Sequence, residues 1–345
     1  MASELNRDLI HTLIDQKILK LLLNNRLSEL DLREARPIAN QDGIIETIAI
    51  RCQRLLKLNL DHFNRKNCND LVELDLTGCK SITDRGIQPL LVQSSNGDVV
   101  MFKKLILLKI MYTNVTSSMA ASVILLRKNI DIHYGKTFDA VYGAFREQYV
   151  PDQEISQSDK LAVKLLSTEE QVEPLTIEKV NICCLFCPNV VEVILHGDIA
   201  DELLPPLRYL EKLQKLDLAC EKSDQLTFEI GILPLLMDIG NRLLELNLHE
   251  INDVCLDSVG ACCMKLRRLK CTLSSATSVK LSPKIEEKVF CNLTHLDLQI
   301  VPNSHQFPKC TLKNILTNAK QIKDIKLIPT VADQASGNVS LHDLL

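Results

Sequence analysis

Four local patterns in the chain have the residue types of a chemical site. Gly135, Lys136 and Thr137 match the end of a phosphate-cradling loop, where backbone N–H groups wrap phosphates and the lysine neutralises them. Such a loop needs its first glycine at position 130, and the chain has Ile130 there. His249 and Glu250 open a zinc-protease pair, but the second histidine would fall at position 253, which is Asp253. Cys184 and Cys187 form a CxxC, yet no second pair follows at zinc spacing. Cys262 and Cys263 are adjacent, as in ordinary helix packing. There is no GxSxG and no GxGxxG, and the acidic residues are scattered rather than paired for acid–base work. We therefore expect no catalytic residue, no cofactor and no metal. An enzyme would come back into view if a titrating cluster of buried histidine and acidic residues formed on one face.

Composition narrows the classes further. The 345 residues are 46% hydrophobic and 24% charged, the balance of an ordinary folded protein. A net charge of −4 argues against a nucleic-acid binder working through a basic field. Aromatics make up 4% and tryptophan is absent, so the core must be aliphatic. The start, MASELNRDLI, lacks the apolar run of a secretory signal, and no stretch is long and apolar enough for a membrane span. We expect a cytoplasmic chain, with the nucleus also open, in which the thirteen cysteines stay reduced and act as small buried side chains.

What would position any site is a repeat. The spacing L-x-x-L-x-L recurs as Leu27, Leu30, Leu32, then Leu55, Leu58, Leu60, then Leu71, Leu74, Leu76, then Leu105, Leu108, Ile110. It returns with middle residues Val193, Leu216, Leu246, Leu269, Leu296 and Ile325. Two weaker copies fall around Ile130 and Ile132, and around Val163 and Leu165. Twelve middle positions from 30 to 325 give a step of about 27 residues, within the roughly 20–29 of leucine-rich repeats. Alternation in L-x-L predicts a short strand with one buried face. Ile177, Val180, Cys184 and Cys187 predict a helix before the next strand. The expected architecture is an α/β leucine-rich-repeat solenoid, a horseshoe with parallel strands on the concave face and helices on the convex face.

A second periodicity specifies the subtype. Cys52, Cys68, Cys187 and Cys263 each lie three residues before the first apolar position of a copy, and Gly240 and Ala319, also small, stand there in two copies that lack Cys. A small residue at that offset suits a helix closing against a strand. Cys79, Ile82, Thr83, Asp84 and Gly86 follow one strand in the turn to the next helix. In these features the chain resembles the cysteine-containing leucine-rich repeats of F-box/leucine-rich-repeat proteins and of the antagonist-of-mitotic-exit group. The resemblance spans roughly residues 26–328 and is weak over 112–172. It implies a right-handed solenoid and substrate recognition for a cullin–RING ubiquitin ligase. The chain departs from that family in having no tryptophan and no recognisable F-box before its first copy. Neither Leu5 nor Leu13 has the following cysteine of an Elongin-binding box.

This divides the chain into a capping helix over residues 1–25, a repeat domain over 26–328 and a C-terminal tail over 329–345. The N-terminal helix has a second reading, as a docking helix for a ligase adaptor. An irregular insert covers about 133–172, with Phe138, Val141 and Phe145 on one helical face. It reads either as a degenerate repeat with a polar loop or as a projection that grips a partner. Residues flanking the leucines should face outward and contact a protein: Glu29, Asp31, Asn59, Glu73, Asp75, Asp217, Asn247, His249, Arg268, Lys270 and Asp297. The early copies lean acidic, which suits a partner with basic residues opposite Glu29, Asp31, Glu73 and Asp75. Asp75→Arg should then leave folding intact and weaken partner binding. The expected function is a monomeric, non-catalytic protein-interaction module, an adaptor or substrate receptor in ubiquitin-dependent degradation, without nucleic acid or membrane. The alternative is a free-standing scaffold or inhibitor.

Overall fold

The computed structural model describes residues 29–31, 57–59, 72–91 except 79 and 81, 102–149, 156–170, 173–220, 225–251, 254–273, 289–300 and 315–329. The capping helix, the tail after Pro329, Cys52, Cys68 and Asp253 lie outside these residues, and the first tail position, Pro329, is the end of a strand. By contact density the chain forms two compact units, residues 1–166 and 167–345, dividing inside the irregular stretch.

The first unit holds a five-stranded parallel sheet in chain order: β1 (Glu29–Asp31), β2 (Lys57–Asn59), β3 (Glu73–Asp75), β4 (Leu107–Lys109) and β5 (Asp131–His133). Leu30, Leu58, Leu74, Leu108 and Ile132 stand side by side in the ladder. The fifth copy is therefore centred on Ile132, not Ile130. Ile130 takes the first apolar position instead, its N–H bonded to the Arg127 carbonyl at 2.9 Å.

A seven-stranded sheet begins at the unit boundary with β6 (Leu165–Ser167) and runs in chain order to the C-terminal side. It continues through β7 (Glu192–Gly197), β8 (Lys215–Cys220), β9 (Glu245–His249), β10 (Arg268–Leu273), β11 (His295–Ile300) and β12 (Asp324–Pro329). From β7 onward the pairs are parallel, with Val193, Leu216, Leu246, Leu269, Leu296 and Ile325 at one level. The fold is thus α/β with parallel sheets, an arrangement compatible with a solenoid. Val193, Leu216, Leu246, Leu269 and Leu296 are at most 1% exposed. Each such side chain contributes about 1.5–3 kcal/mol by leaving water.

The approaches to β4 and to each strand from β7 to β12 are built the same way. A carbonyl three residues before the first apolar position accepts that residue's N–H: Phe102 from Leu105, Cys187 from Val190, Leu210 from Leu213, Gly240 from Leu243, Cys263 from Leu266, Phe290 from Leu293 and Ala319 from Ile322. Cys187 and Cys263 are fully buried, and Ala319 is buried. At Gly240 an added Cβ would lie 2.7 Å from the Cys262 carbonyl oxygen and 3.0 Å from the Cys263 sulfur. That close approach accounts for the glycine in this copy, whereas Phe102, Leu210 and Phe290 stand at the same offset in others, so the shared feature is the carbonyl bond and not a small side chain.

Threonines start three of the helical segments. Thr116 caps Ser117–Leu126, Thr176 caps Ile177–Phe186 and Thr227 caps Phe228–Ile232, which runs on into Leu233–Ile239. Each threonine side chain accepts a backbone N–H that the first turn would otherwise leave unsatisfied. In the irregular stretch, the helix Thr137–Phe145 buries Phe138, Val141 and Phe145 completely. Tyr134 is also fully buried and donates its hydroxyl to the Val115 carbonyl at 2.8 Å. This part of the stretch is core of the first unit rather than a projection.

Candidate functional site

Because the strands are parallel and in register, residues between the leucines form straight rows across each sheet. In the first unit Glu29 pairs with Lys57, which pairs with Glu73; Asp31 pairs with Asn59, which pairs with Asp75. The side chains of Glu29, Asp31 and Asn59 are outside the described set. Glu73 and Asp75 converge on Lys109 of β4, whose Nζ lies 2.8 Å from Glu73 and 3.6 Å from Asp75. Burial works against the charged lysine, but Glu73 and Asp75 together outweigh it and hold its pKa above the ordinary value. Asp75 is only 9% exposed and accepts the Thr77 N–H at 3.0 Å. Within the expected acidic patch, Lys109 thus offsets one of the two charges carried by Glu73 and Asp75.

Lys109, Asp131 and His133 belong to this face but were absent from the sequence-derived set. Asp131 is buried and accepts the Lys164 N–H at 2.8 Å, with His133 Nε2 3.5 Å from its other oxygen. Asp131 and His133 flank Ile132, so the flanking rule finds them once the fifth copy is registered there; Lys109 flanks Leu108, whose register is the one expected.

The second unit carries three rows. The first reads Glu192, Lys215, Glu245, Arg268, His295 and Asp324. Its alternating charges pair sideways: Lys215 with Glu192 at 4.0 Å and with Glu245 at 3.4 Å, and Arg268 with Glu245 at 3.4 Å. The second row reads Ile194, Asp217, Asn247, Lys270, Asp297 and Lys326. The third begins His196, Ala219 and His249.

Asp217 joins the last two rows. His196 Nε2 lies 2.9 Å from Asp217 Oδ1, and His249 Nε2 lies 3.6 Å from the same oxygen. Asn247 donates its amide N–H to Oδ2 at 2.7 Å. The two imidazoles stand edge to face across Ala219, 6.3 Å between ring centres. The hydrogen bond to Asp217 raises the His196 pKa. Burial lowers that of His249. For Asp217, burial favours the neutral acid, but the hydrogen bonds from His196 and Asn247 prevail and lower its pKa. This is a titrating His–Asp–His cluster, and all three side chains are between 22% and 33% exposed. Its carboxylate is engaged on both oxygens, which suits a fixed electrostatic feature of a surface.

Arg268, Lys270 and Asp297 meet farther along the sheet. They line a pocket of about 320 Å³ with Glu245, Asn247 and Lys326, open on the same face. Of the sequence-derived residues, the structure therefore gathers Asp217, Asn247 and His249 in one cluster, and Arg268, Lys270 and Asp297 in another.

The other motifs resolve into structure. Thr137 is fully buried and donates its hydroxyl to the Tyr134 carbonyl. Burial pushes the Cys184 thiol up to about 12 and the Cys187 thiol well above its ordinary value, so neither is a ready thiolate ligand or nucleophile. Among the described residues no group of three His, Cys, Asp or Glu side chains is placed to hold a metal ion. Among the described residues no helix is long and apolar enough to cross a membrane. No protein-family model matches the chain, and no curated protein matches it.

Proposed function

We propose that the chain is a leucine-rich-repeat solenoid, a horseshoe whose sheet forms a concave protein-binding face, and that it works as a non-catalytic recognition module. The observation that carries this reading is the register of the second sheet. It sets three rows of mostly polar residues side by side over an aliphatic layer that is buried from Val193 to Leu296. Such a surface has many fixed donors, acceptors and charges and little that could drive a reaction, which suits recognition by charge and shape.

The most concrete form of the proposal is a substrate receptor or adaptor in ubiquitin-dependent degradation, as the resemblance of the repeat implies. A cullin–RING adaptor would then travel with the protein. The alternative is a free-standing scaffold or inhibitor that binds a partner through the same face. The His196–Asp217–His249 cluster supports pH-dependent recognition better than catalysis, since each histidine already faces the carboxylate.

Affinity purification of the tagged full chain from its own cells, with mass spectrometry of co-purifying proteins, tests both forms. A cullin, Skp1-type or Elongin-type protein at near-equal amounts supports the ligase form. A different stable partner in its place sinks that form and leaves the scaffold. Recovery of no partner at all sinks the recognition module itself.

A further inference from the structure

Taking this sheet face as protein-binding, we propose that Lys270, Asp297 and Lys326 dock a partner helix laid across the strands, whose contacting stripe reads acidic, basic, acidic at i, i+3 and i+7. Most charges on the face are already satisfied inside the chain. Glu192, Lys215, Glu245 and Arg268 pair along their row. Asp217 holds His196 and Asn247.

Beyond Asp324 at the end of the first row, the charges left over are the run Lys270, Asp297, Lys326, three adjacent positions on β10, β11 and β12. Asp297 Oδ1 is one of two buried side-chain polar atoms without a hydrogen-bond partner among the described residues. Neither Lys270 nor Lys326 is ion-paired among the described residues, although both line the pocket that Asp297 shares. A buried carboxylate oxygen without a donor is unfavourable, and a partner that brings one corrects it. The terminal torsion of aspartate is soft, so a small turn presents either oxygen to the incoming donor. The surface therefore reads plus, minus, plus, and its complement reads minus, plus, minus.

Spacing selects the form of the partner. Neighbouring strands are about 4.8 Å apart, so the three charges sit at about 0, 5 and 10 Å along a line across the sheet. A helix rises about 1.5 Å per residue, and i, i+3 and i+7 share one face at about 0, 4.5 and 10.5 Å. An extended peptide repeats its same-face side chains every roughly 6.8 Å and falls out of step by the third position.

The test uses the full chain, fluorescence anisotropy at low salt, and helix-stabilised peptides in an alanine-rich background. One peptide carries Glu, Arg and Glu at i, i+3 and i+7. The second carries Arg, Glu and Arg at the same positions. The first should bind about tenfold tighter or more, the scale of a few partly exposed ion pairs. The triple variant Lys270→Glu, Asp297→Lys, Lys326→Glu, checked for folding by circular dichroism, should prefer the second peptide instead. Equal binding of the two peptides, or an unchanged preference in the variant, overturns the proposal. The natural partner separates this from the broader reading. If wild type and variant hold that partner equally, this docking falls while the protein-binding reading survives.

Discussion

Asp201 accepts two hydrogen bonds from Thr227, one from the backbone N–H and one from the hydroxyl, each 2.8 Å long. Thr227 in turn caps the helical segment that begins at Phe228. One threonine thus ties the connection after β7 to the helix after β8. The first unit repeats the device: Asp84 accepts the Thr116 N–H at 2.8 Å and its hydroxyl at 2.9 Å, and Thr116 caps the next helix. Gly231 makes room for the clamp, since an added Cβ there would lie 2.1 Å from Asp201 Oδ1.

Removing the clamp should cost stability in a coupled way. Asp201→Ala should destabilise the second unit by about 1–3 kcal/mol, since Thr227 loses its acceptor. Gly231→Ala alone should cost a similar or larger amount through the clash. The double variant should cost less than the two losses added, because the clash needs the carboxylate. Denaturant midpoints of the four chains give the coupling, and strict additivity would show that the glycine serves another purpose.

The two histidines sharing Asp217 should titrate on opposite sides of 6.5, the ordinary histidine value. For His196 the folded pKa is the higher one. Its pairing therefore stabilises the fold in full below pH 6.5, and that contribution is lost as pH rises through the raised value. For His249 the folded pKa is the lower one. Its contribution is present above pH 6.5 and is lost as pH falls through the lowered value. Proton NMR titration of the ring protons reads both. In Asp217→Asn the His196 value should fall markedly and the His249 value should fall further. Two unchanged titrations would mean the three groups do not interact in solution.

Asp75→Arg reads differently with the structure in hand than from the sequence alone. The carboxylate is nearly buried, holds the Thr77 N–H and faces Lys109. An arginine there loses the turn and faces a lysine, so we expect a loss of about 1–3 kcal/mol rather than neutral folding. Asp75→Asn keeps an acceptor and should cost less. A thermal melt comparing the two variants with wild type decides; equal melting points would place Asp75 on the solvent side.

Three of the buried thiols should be silent until the chain opens. Burial pushes the Cys184, Cys263 and Cys271 thiols up to about 12, which leaves almost no thiolate at pH 8. Alkylation followed by peptide mass spectrometry should leave these three unlabelled in the native protein and labelled in denaturant. Fast native labelling of Cys263 would contradict the tight turn drawn around it.

Much of the fold is legible in the sequence because it is local. A leucine every second residue makes a strand with one apolar face, and Leu216, Leu246 and Leu269 align where their spacing puts them. The small residue before some copies is equally local: the close approach at Gly240 and the burial of Cys263 limit what fits there, although Phe102, Leu210 and Phe290 fill the same offset in other copies. The fifth copy was off by two residues because Ile130 and Ile132 both suit an apolar slot. Only the ladder beside Leu108 separates them.

The site is less legible, because charge pairing is set across strands rather than along them. By itself the sequence determined the aliphatic layer, the strand period and the residues left outside that layer. It also placed Asp217, Asn247 and His249 on the outward positions. Tertiary structure alone decided that Glu73 and Asp75 spend their charge on Lys109, 34 or more residues away in the chain. It alone brought His196 and His249 to one carboxylate and left Oδ1 of Asp297 without a donor among the described residues. Burial follows from the pattern within one segment, whereas an ion pair needs two segments set side by side at a fixed register. That register exists only once the sheet has formed.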